Sequence, residues 1–327
     1  MARQPLFLAI LLSLAACTAT AQPDVDGDPT SESPSTGDEA EARWLDTGRE
    51  YVIERADNLA AWMDNFFGDA EREGEAPYST LRLRLEQDWD QEDGHDDDLK
   101  LRGKLYLPKF NERLSLLFSD DDDKTGNEEL LIDERRNPDD VALQYTARDK
   151  KHYRLDFKVG LRSSLALKAS MRYRYEYPFT DTWLGRASEE VFYYGDDGFG
   201  SRTRIELDKI LDDRRVVQWR NQADWEEEEP GVEWDTSLAL YRRLDDNRAI
   251  SYYTAVSGET RPDPFTASYS LGVRYRQNFL RPWLFLDVQP YYSWRKNDAE
   301  DNRYGSAGLR LRLEAVFEKD FSRKKKN

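Results

Sequence analysis

The sequence predicts an all-β fold: a transmembrane antiparallel up-and-down β-barrel of about fourteen strands, with twelve as the alternative. Before the barrel it predicts a signal peptide, an acidic linker and one amphipathic helix. Three observations carry this reading. Hydrophobicity alternates with period two from Tyr78 almost to the end of the chain. Several alternating segments exceed the roughly 5 to 6 residues of soluble strands and reach the roughly 9 to 11 needed to cross a bilayer. The third is an excess of aromatic residues in a very polar chain. Of 327 residues, 65 are Asp or Glu and 48 Lys or Arg, a formal charge of −17, yet 13% are aromatic. Such polarity alone would favour disorder, but that many rings have no use in a solvating polymer. No run after residue 22 reaches the ~20 apolar residues of a spanning helix, so a helical membrane protein is excluded and a barrel is not.

Arg3 supplies a short positive region and Leu6 to Ala16 an apolar stretch of secretory length, followed by small residues. Two processing sites compete. Leu14-Ala15-Ala16-Cys17 resembles a lipobox, which makes Cys17, the only cysteine, the candidate lipidation site and ends the signal peptide at residue 16. Ala19-Thr20-Ala21 before Gln22 resembles an ordinary cleavage site and ends it at residue 21. On the lipoprotein route, Thr18 lacks the Asp associated with inner-membrane retention. Residues 22–47 read as a disordered acidic linker: Asp24, Asp26, Asp28, Glu32, Asp38, Glu39 and Glu41 stand among Pro, Ser, Thr and Gly. Over residues 48–68, Val52, Ala56, Leu59, Met63, Phe66 and Phe67 fall on one face of a periplasmic helix. Packing against the protein competes there with lying on the membrane or closing a barrel mouth; Asp57, Asp64 and Asp69 disfavour an anionic membrane surface.

The barrel spans residues 78–317, with a basic tail at 318–327. Its strands are expected at 78–89, 98–107, 112–119, 140–149, 151–162, 164–177, 183–194, 199–210, 214–225, 231–243, 248–258, 264–277, 283–295 and 303–317, the third and fourth being weakest. In the last, Leu309, Leu311, Leu313, Ala315 and Phe317 alternate with Arg310, Arg312 and Glu314, giving one apolar and one charged face. If the first strand runs outward, short connections fall on the periplasmic side. Longer polar ones, Asp90 to Asp97 and Asp120 to Asp139 among them, fall outside. Leu211-Asp212-Asp213-Arg214 and Leu244-Asp245-Asp246-Asn247 are a repeated turn. Tyr173, Tyr175, Tyr177, Trp183, Tyr193, Trp219, Trp225, Trp234, Tyr275, Trp283 and Trp294 are expected near strand ends, where amphipathic rings prefer the membrane interface.

Over residues 78–317 the chain resembles Gram-negative, proteobacterial outer-membrane β-barrel proteins of no named functional family. The resemblance rests on Arg172-Tyr173-Arg174-Tyr175-Glu176-Tyr177-Pro178, on Gly198-Phe199-Gly200 with Arg202 and Arg204, on Gly231-Val232-Glu233-Trp234 and on Ser257-Gly258-Glu259-Thr260. A terminal strand from Gly308 to Phe317 looks like a signal for the barrel assembly machinery. The resemblance implies the outer membrane as location and its lipid as surroundings, without an activity. One departure is that ten residues, with the basic run Arg323 to Lys326, follow Phe317.

Taking the charged alternants as inward-facing leaves a mixed, Arg-rich lumen. It reads as cross-strand ion-pair ladders filling a narrow interior, or as a basic track for small anionic solutes through Arg82, Arg84, Lys100, Arg102, Lys104, Arg172, Arg174, Arg202, Arg204, Arg310 and Arg312. The expected function is accordingly a narrow passive channel or a structural, surface-interacting barrel. Arg312→Glu is expected to leave the barrel intact and Leu311→Arg to impair assembly. The alternative is an outer-membrane hydrolase, lipase or protease, with a rim site formed by His95-Asp96 near Asp120 to Asp123. The other histidine, His152, fits no catalytic run, and no catalytic residue is assigned. Glycine-rich phosphate loops, zinc clusters and EF-hand spacing are absent, so no cofactor or metal is expected. A secreted chain of this charge is no nucleic-acid binder.

Overall fold

The computed structural model describes residues 59, 62, 63, 66 and 67 and most of residues 78–319, with residues 121–140 and a few short stretches outside the description. The signal peptide, Cys17, the acidic linker, most of the predicted helix and the basic tail beyond Lys319 lie outside the described residues. Fourteen strands form one closed antiparallel barrel in chain order. They are β1 (Ser79–Asp90), β2 (Gly94–Tyr106), β3 (Leu114–Asp120), β4 (Val141–Asp149), β5 (Tyr153–Leu161), β6 (Leu167–Thr180), β7 (Trp183–Tyr194), β8 (Gly198–Asp212), β9 (Arg215–Glu226), β10 (Glu233–Asp245), β11 (Arg248–Glu259), β12 (Phe265–Asn278), β13 (Leu284–Arg295) and β14 (Tyr304–Lys319). Closure is made by β1 and β14, in unbroken register from Ser79 against Lys319 to Asp90 against Gly308. The twelve-strand alternative is thereby removed: β3 and β4 exist, although β3 is only seven residues long. The terminal strand continues past Phe317 to Lys319.

Alternation becomes two faces. Leu83, Leu85, Leu99, Met171, Ile205, Leu238 and Leu271 point outward and are exposed, Leu99 by 61%, while Arg276, Asp287, Gln222 and Glu314 point inward and are wholly buried. This inverts a soluble protein, in which charged residues are almost never fully buried and apolar ones usually are. At one end of the aliphatic belt stand the outward rings of Trp89, Tyr193, Phe199, Trp225, Tyr269 and Trp294. At the other stand Tyr175, Tyr177, Trp283 and Phe317, with Trp283 stacked on Phe317 at 5.3 Å. An apolar band between two aromatic girdles is what a barrel needs to sit in a bilayer.

The two ends differ, though less than the sequence implies. One end, here the turn end, carries two-residue connections at 181–182, 213–214 and 246–247; the loop end carries the long connection 121–140, outside the described residues. The expected long loop from Asp90 to Asp97 is instead a turn of residues 91–93, because β2 begins at Gly94. Gly94 has φ 90°, a left-handed conformation open to glycine, and Asp90 Oδ1 accepts from the backbone N–H groups of Glu92 (2.9 Å) and Asp93 (3.2 Å). Side-chain capping of the backbone substitutes for loop length.

The repeated turn is real chemistry. Asp212 accepts from the Arg214 N–H and Asp245 from the Asn247 N–H, each at 2.9 Å, and the guanidinium groups of Arg215 and Arg248 each donate to the same carboxylates at 2.7 Å. A bulge precedes both turns. The arginine contacts and backbone donors hold both carboxyls below their ordinary value. A lowered folded-state value contributes stability above the unfolded one, lost as pH falls through the folded value. Asp245→Asn is therefore expected to speed unfolding near neutrality, with the difference from wild type shrinking below about pH 4; unfolding rates measured across pH check this.

Leu59, Trp62, Met63, Phe66 and Phe67 are helical and pack against inward residues near the turn end: Ile210, Val216, Tyr241, Ala249 and Phe285. The Phe66 ring meets Phe285 edge-on at 5.6 Å, and the Phe67 carbonyl accepts from Arg274 at 3.2 Å. The apolar stripe thus packs against the wall from inside the mouth.

Candidate functional site: the charged lumen

Register decides which inward charges meet. On β1 the inward residues read Arg82, Arg84, Glu86, Asp88, and on β2 they read Arg102, Lys100, Asp98, Asp96. The antiparallel pairing sets Arg82 opposite Arg102, Arg84 opposite Lys100, Glu86 opposite Asp98 and Asp88 opposite Asp96. Four successive rungs therefore carry like charges, each unfavourable taken alone. The other neighbour of β1 compensates: β14 places Glu314 opposite Arg84, Arg312 opposite Glu86 and Arg310 opposite Asp88. Glu314 accepts from Arg82 at 3.2 Å and Arg84 at 3.3 Å, while Arg312 and Arg310 contact Glu86 at 2.5 and 3.0 Å. On its far side β2 meets β3, whose inward residues opposite Lys104, Arg102 and Tyr106 are Leu117, Ser119 and Ser115. The turn half of β1 to β3 thus presents Arg82, Arg84, Lys100, Arg102 and Lys104, with Asp98 of β2 in contact with Lys100 at 3.4 Å. A further like pair, Arg154 opposite Arg174, is compensated on β4 and β5, where Arg154 contacts Asp156 at 2.7 Å and Asp149 at 3.3 Å.

The rest of the interior is a ladder of matched charges. Glu206 contacts Arg186 and Arg220, each at 2.6 Å, and Asp208 contacts Arg186 at 2.9 Å. Arg202 contacts Asp224 at 2.6 Å, and Arg204 donates to Gln222 at 2.6 Å. Asp287 contacts Arg274 at 3.0 Å and Arg276 at 2.5 Å, and Arg276 also bonds Glu314. Removed from bulk water, such groups require partners, and these carboxylates each meet one or more guanidinium groups.

All eleven basic residues singled out in the sequence face inward, and the structure divides them. Arg82, Arg84, Lys100, Arg102 and Lys104 belong to the basic wall of β1 and β2, whereas on β6 Arg172 stands between Asp156 and Glu190 and joins the ladder, and Arg174 stands between Arg154 and Ser188. Arg202, Arg204, Arg310 and Arg312 belong to the ladder, fixed on the neighbours just described. One lumen therefore holds a ladder of matched charges beside a group of cations on β1 and β2. Arg154, Arg186, Arg220, Arg274, Arg276, Glu206, Asp208 and Asp287 were not singled out in the sequence. Each lies at an inward alternant, but which charges share a rung depends on register, and a slip of one residue exchanges the faces.

Of the rim constellation expected from the sequence, Asp121 to Asp123 lie outside the described residues. The expected outer-loop His95 lies in β2, on the outer face, with its ring stacked on Trp89 at 5.1 Å. Its Nε2 is 3.1 Å from Asp97, not Asp96. His152 lies at the turn end, its Nδ1 3.1 Å from the Glu176 carbonyl. The two rings occupy opposite ends of the barrel.

No family model matches this chain, and no curated protein matches it. Among solved structures, the KdgM porin in complex with disordered oligogalacturonate is similar at 9% identity and a TM-score of 0.37, covering 72% of this chain and 99% of that one. OprB of Pseudomonas putida, in a low-pH structure, is similar at 13% identity and 0.48, covering 78% and 98%. OccAB3 of Acinetobacter baumannii is similar at 8% identity and 0.43, covering 74% and 99%.

Proposed function

We propose that this chain is an outer-membrane β-barrel acting as a narrow, passive channel for small anionic solutes. The observation that carries the reading is the conjunction of an apolar belt between two aromatic girdles with a lumen wall of five cations on the turn half of β1 and β2. The belt calls for outer-membrane lipid outside. The wall calls for anions inside, since rings of Arg or Lys favour them in pores. The ladder on β7 to β9 and β12 to β14 stiffens the rest of the interior and narrows it. Reading the terminal strand as an assembly-machinery signal and Cys17 as a lipid anchor fits this location. Among the described residues His95 stacks on Trp89 and contacts the single carboxylate Asp97, and His152 contacts a backbone carbonyl. The second reading, a filled structural barrel, is favoured by the burial of Arg276, Asp287 and Glu314.

Planar-bilayer recording tests the choice. A small, anion-selective conductance is expected, and Arg102→Glu with Lys104→Glu should shift the reversal potential toward cations. Because that change also relieves the like-charge rung with Arg82, the barrel should remain heat-modifiable. Cation selectivity in the wild type would overturn the reading, and absence of conductance would leave the filled barrel.

A further inference from the structure

At the turn end the inward residues break their own rule. Elsewhere inward positions are mostly charged or polar, yet Ile210, Val216, Tyr241, Ala249 and Phe285 place an apolar collar on β8 to β13. Opposite the collar, the same level of β1 to β3 is polar and cationic, with Thr80, Arg82, Lys104 and Ser115, while on β4 and β5 Thr146 and Arg154 both bond Asp156. The collar is the seat of the helical residues. Leu59, Met63, Phe66 and Phe67 are buried on it, and Trp62 stacks on Phe66 at 4.6 Å. Around the apolar contact, guanidinium groups lie over three rings: Arg243 over Trp62 at 4.4 Å, Arg274 over Phe67 at 5.2 Å and Arg276 over Phe66 at 5.9 Å.

These arginines hold carboxylates without the helix: Arg274 and Arg276 contact Asp287, and Arg243 contacts Asp246. Removing the rings therefore strands no buried charge, the usual reason a contact cannot be given up. The helix fills volume on one side of the mouth and adds no charge of its own to the wall through these five residues. Lumen width grows with strand number, and eight strands already enclose an interior just filled by side chains. A fourteen-stranded mouth lined on one side by Val, Ala and Ile has room that wall residues do not occupy.

We propose that the helix carrying Leu59, Trp62, Met63, Phe66 and Phe67 is the constriction element of the channel: by occupying the apolar side of the turn-end mouth it confines anions to the basic β1 to β3 side, and so sets both conductance and selectivity. This inference rests on the channel reading above and adds to it the residues that fix the path. An apolar filler against one wall brings every permeating ion nearer the other. Coulomb attraction is stronger at shorter distance and away from bulk water.

Single-channel recording on the full chain tests it. Trp62→Ala with Phe66→Ala and Phe67→Ala should raise conductance at least two-fold and lower the chloride-to-potassium permeability ratio, with heat-modifiability on gels retained. Val216→Asp, which spoils the seat from the barrel side, should do the same without touching the helix. Unchanged conductance in both variants, beside a conducting wild type, overturns the constriction role. So does a higher conductance at unaltered selectivity, because the helix would then not direct ions to the basic wall. If neither wild type nor variants conduct, the channel reading itself has failed.

Discussion

Glu314→Gln is expected to cost the folded barrel about 3–5 kcal/mol, the scale on which removing one partner of a buried charge cluster destabilises a protein. Glu314 is wholly buried and accepts from Arg82, Arg84 and Arg276. It neutralises the two arginines of β1 that face Arg102 and Lys100 across the like-charge rungs. It also sits where β14 closes on β1, so its loss is felt at the seam of the barrel. Glutamine keeps the shape and one acceptor oxygen and removes the charge, leaving three guanidinium groups around a neutral amide. Urea unfolding of the barrel in detergent or lipid reads the effect, and a midpoint within a few tenths of a molar of wild type would show that Glu314 is not the hub of the seam. Glu314→Asp, which keeps the charge on a shorter stem, should recover part of the loss.

Leu311→Arg is expected to impair assembly by about 2–4 kcal/mol, the cost of a cation on the lipid face near mid-membrane. Leu311 lies outward in the middle of β14, opposite Val288 and Gln87. The partner experiment changes once the register is known. From alternation alone, Arg312→Glu is expected to be harmless because Arg312 faces inward. In the structure Arg312 is buried, contacts Glu86 at 2.5 Å and stands opposite Asp287. Charge reversal there would gather three carboxylates, so the inward position is as intolerant as the outward one. Arg312→Lys, which keeps the cation, is the substitution that should assemble normally. Recovery of Leu311→Arg as a heat-modifiable barrel at wild-type yield would mean that the outward face of β14 is misassigned.

Much of this protein is legible in its amino-acid order because period-two alternation is a local property. Runs such as Leu81-Arg82-Leu83-Arg84-Leu85 place each side chain on a face without reference to any other strand. The boundaries of β7, β9 and β13 follow from that alternation to within about a residue. Even β3, short as it is, shows in Leu114-Ser115-Leu116. The turns at Asp212 and Asp245 are equally local, since each is closed by a side chain reaching its own backbone two residues on. What alternation cannot supply is the phase between strands. That Arg82 meets Arg102, that Glu314 gathers three arginines from β1 and β12, and that the basic residues divide into a wall and a ladder all follow from register, which depends on the whole closed ring. The same holds for His95: its neighbours read as an acidic loop, and pairing with β1 from Gly94 onward turned that stretch into strand. The helix shows the division most clearly. Its apolar stripe is written at steps of three and four, but its seat is assembled from single residues of β8, β9, β10, β11 and β13, far apart in the chain and brought to one rim only by closure of the barrel.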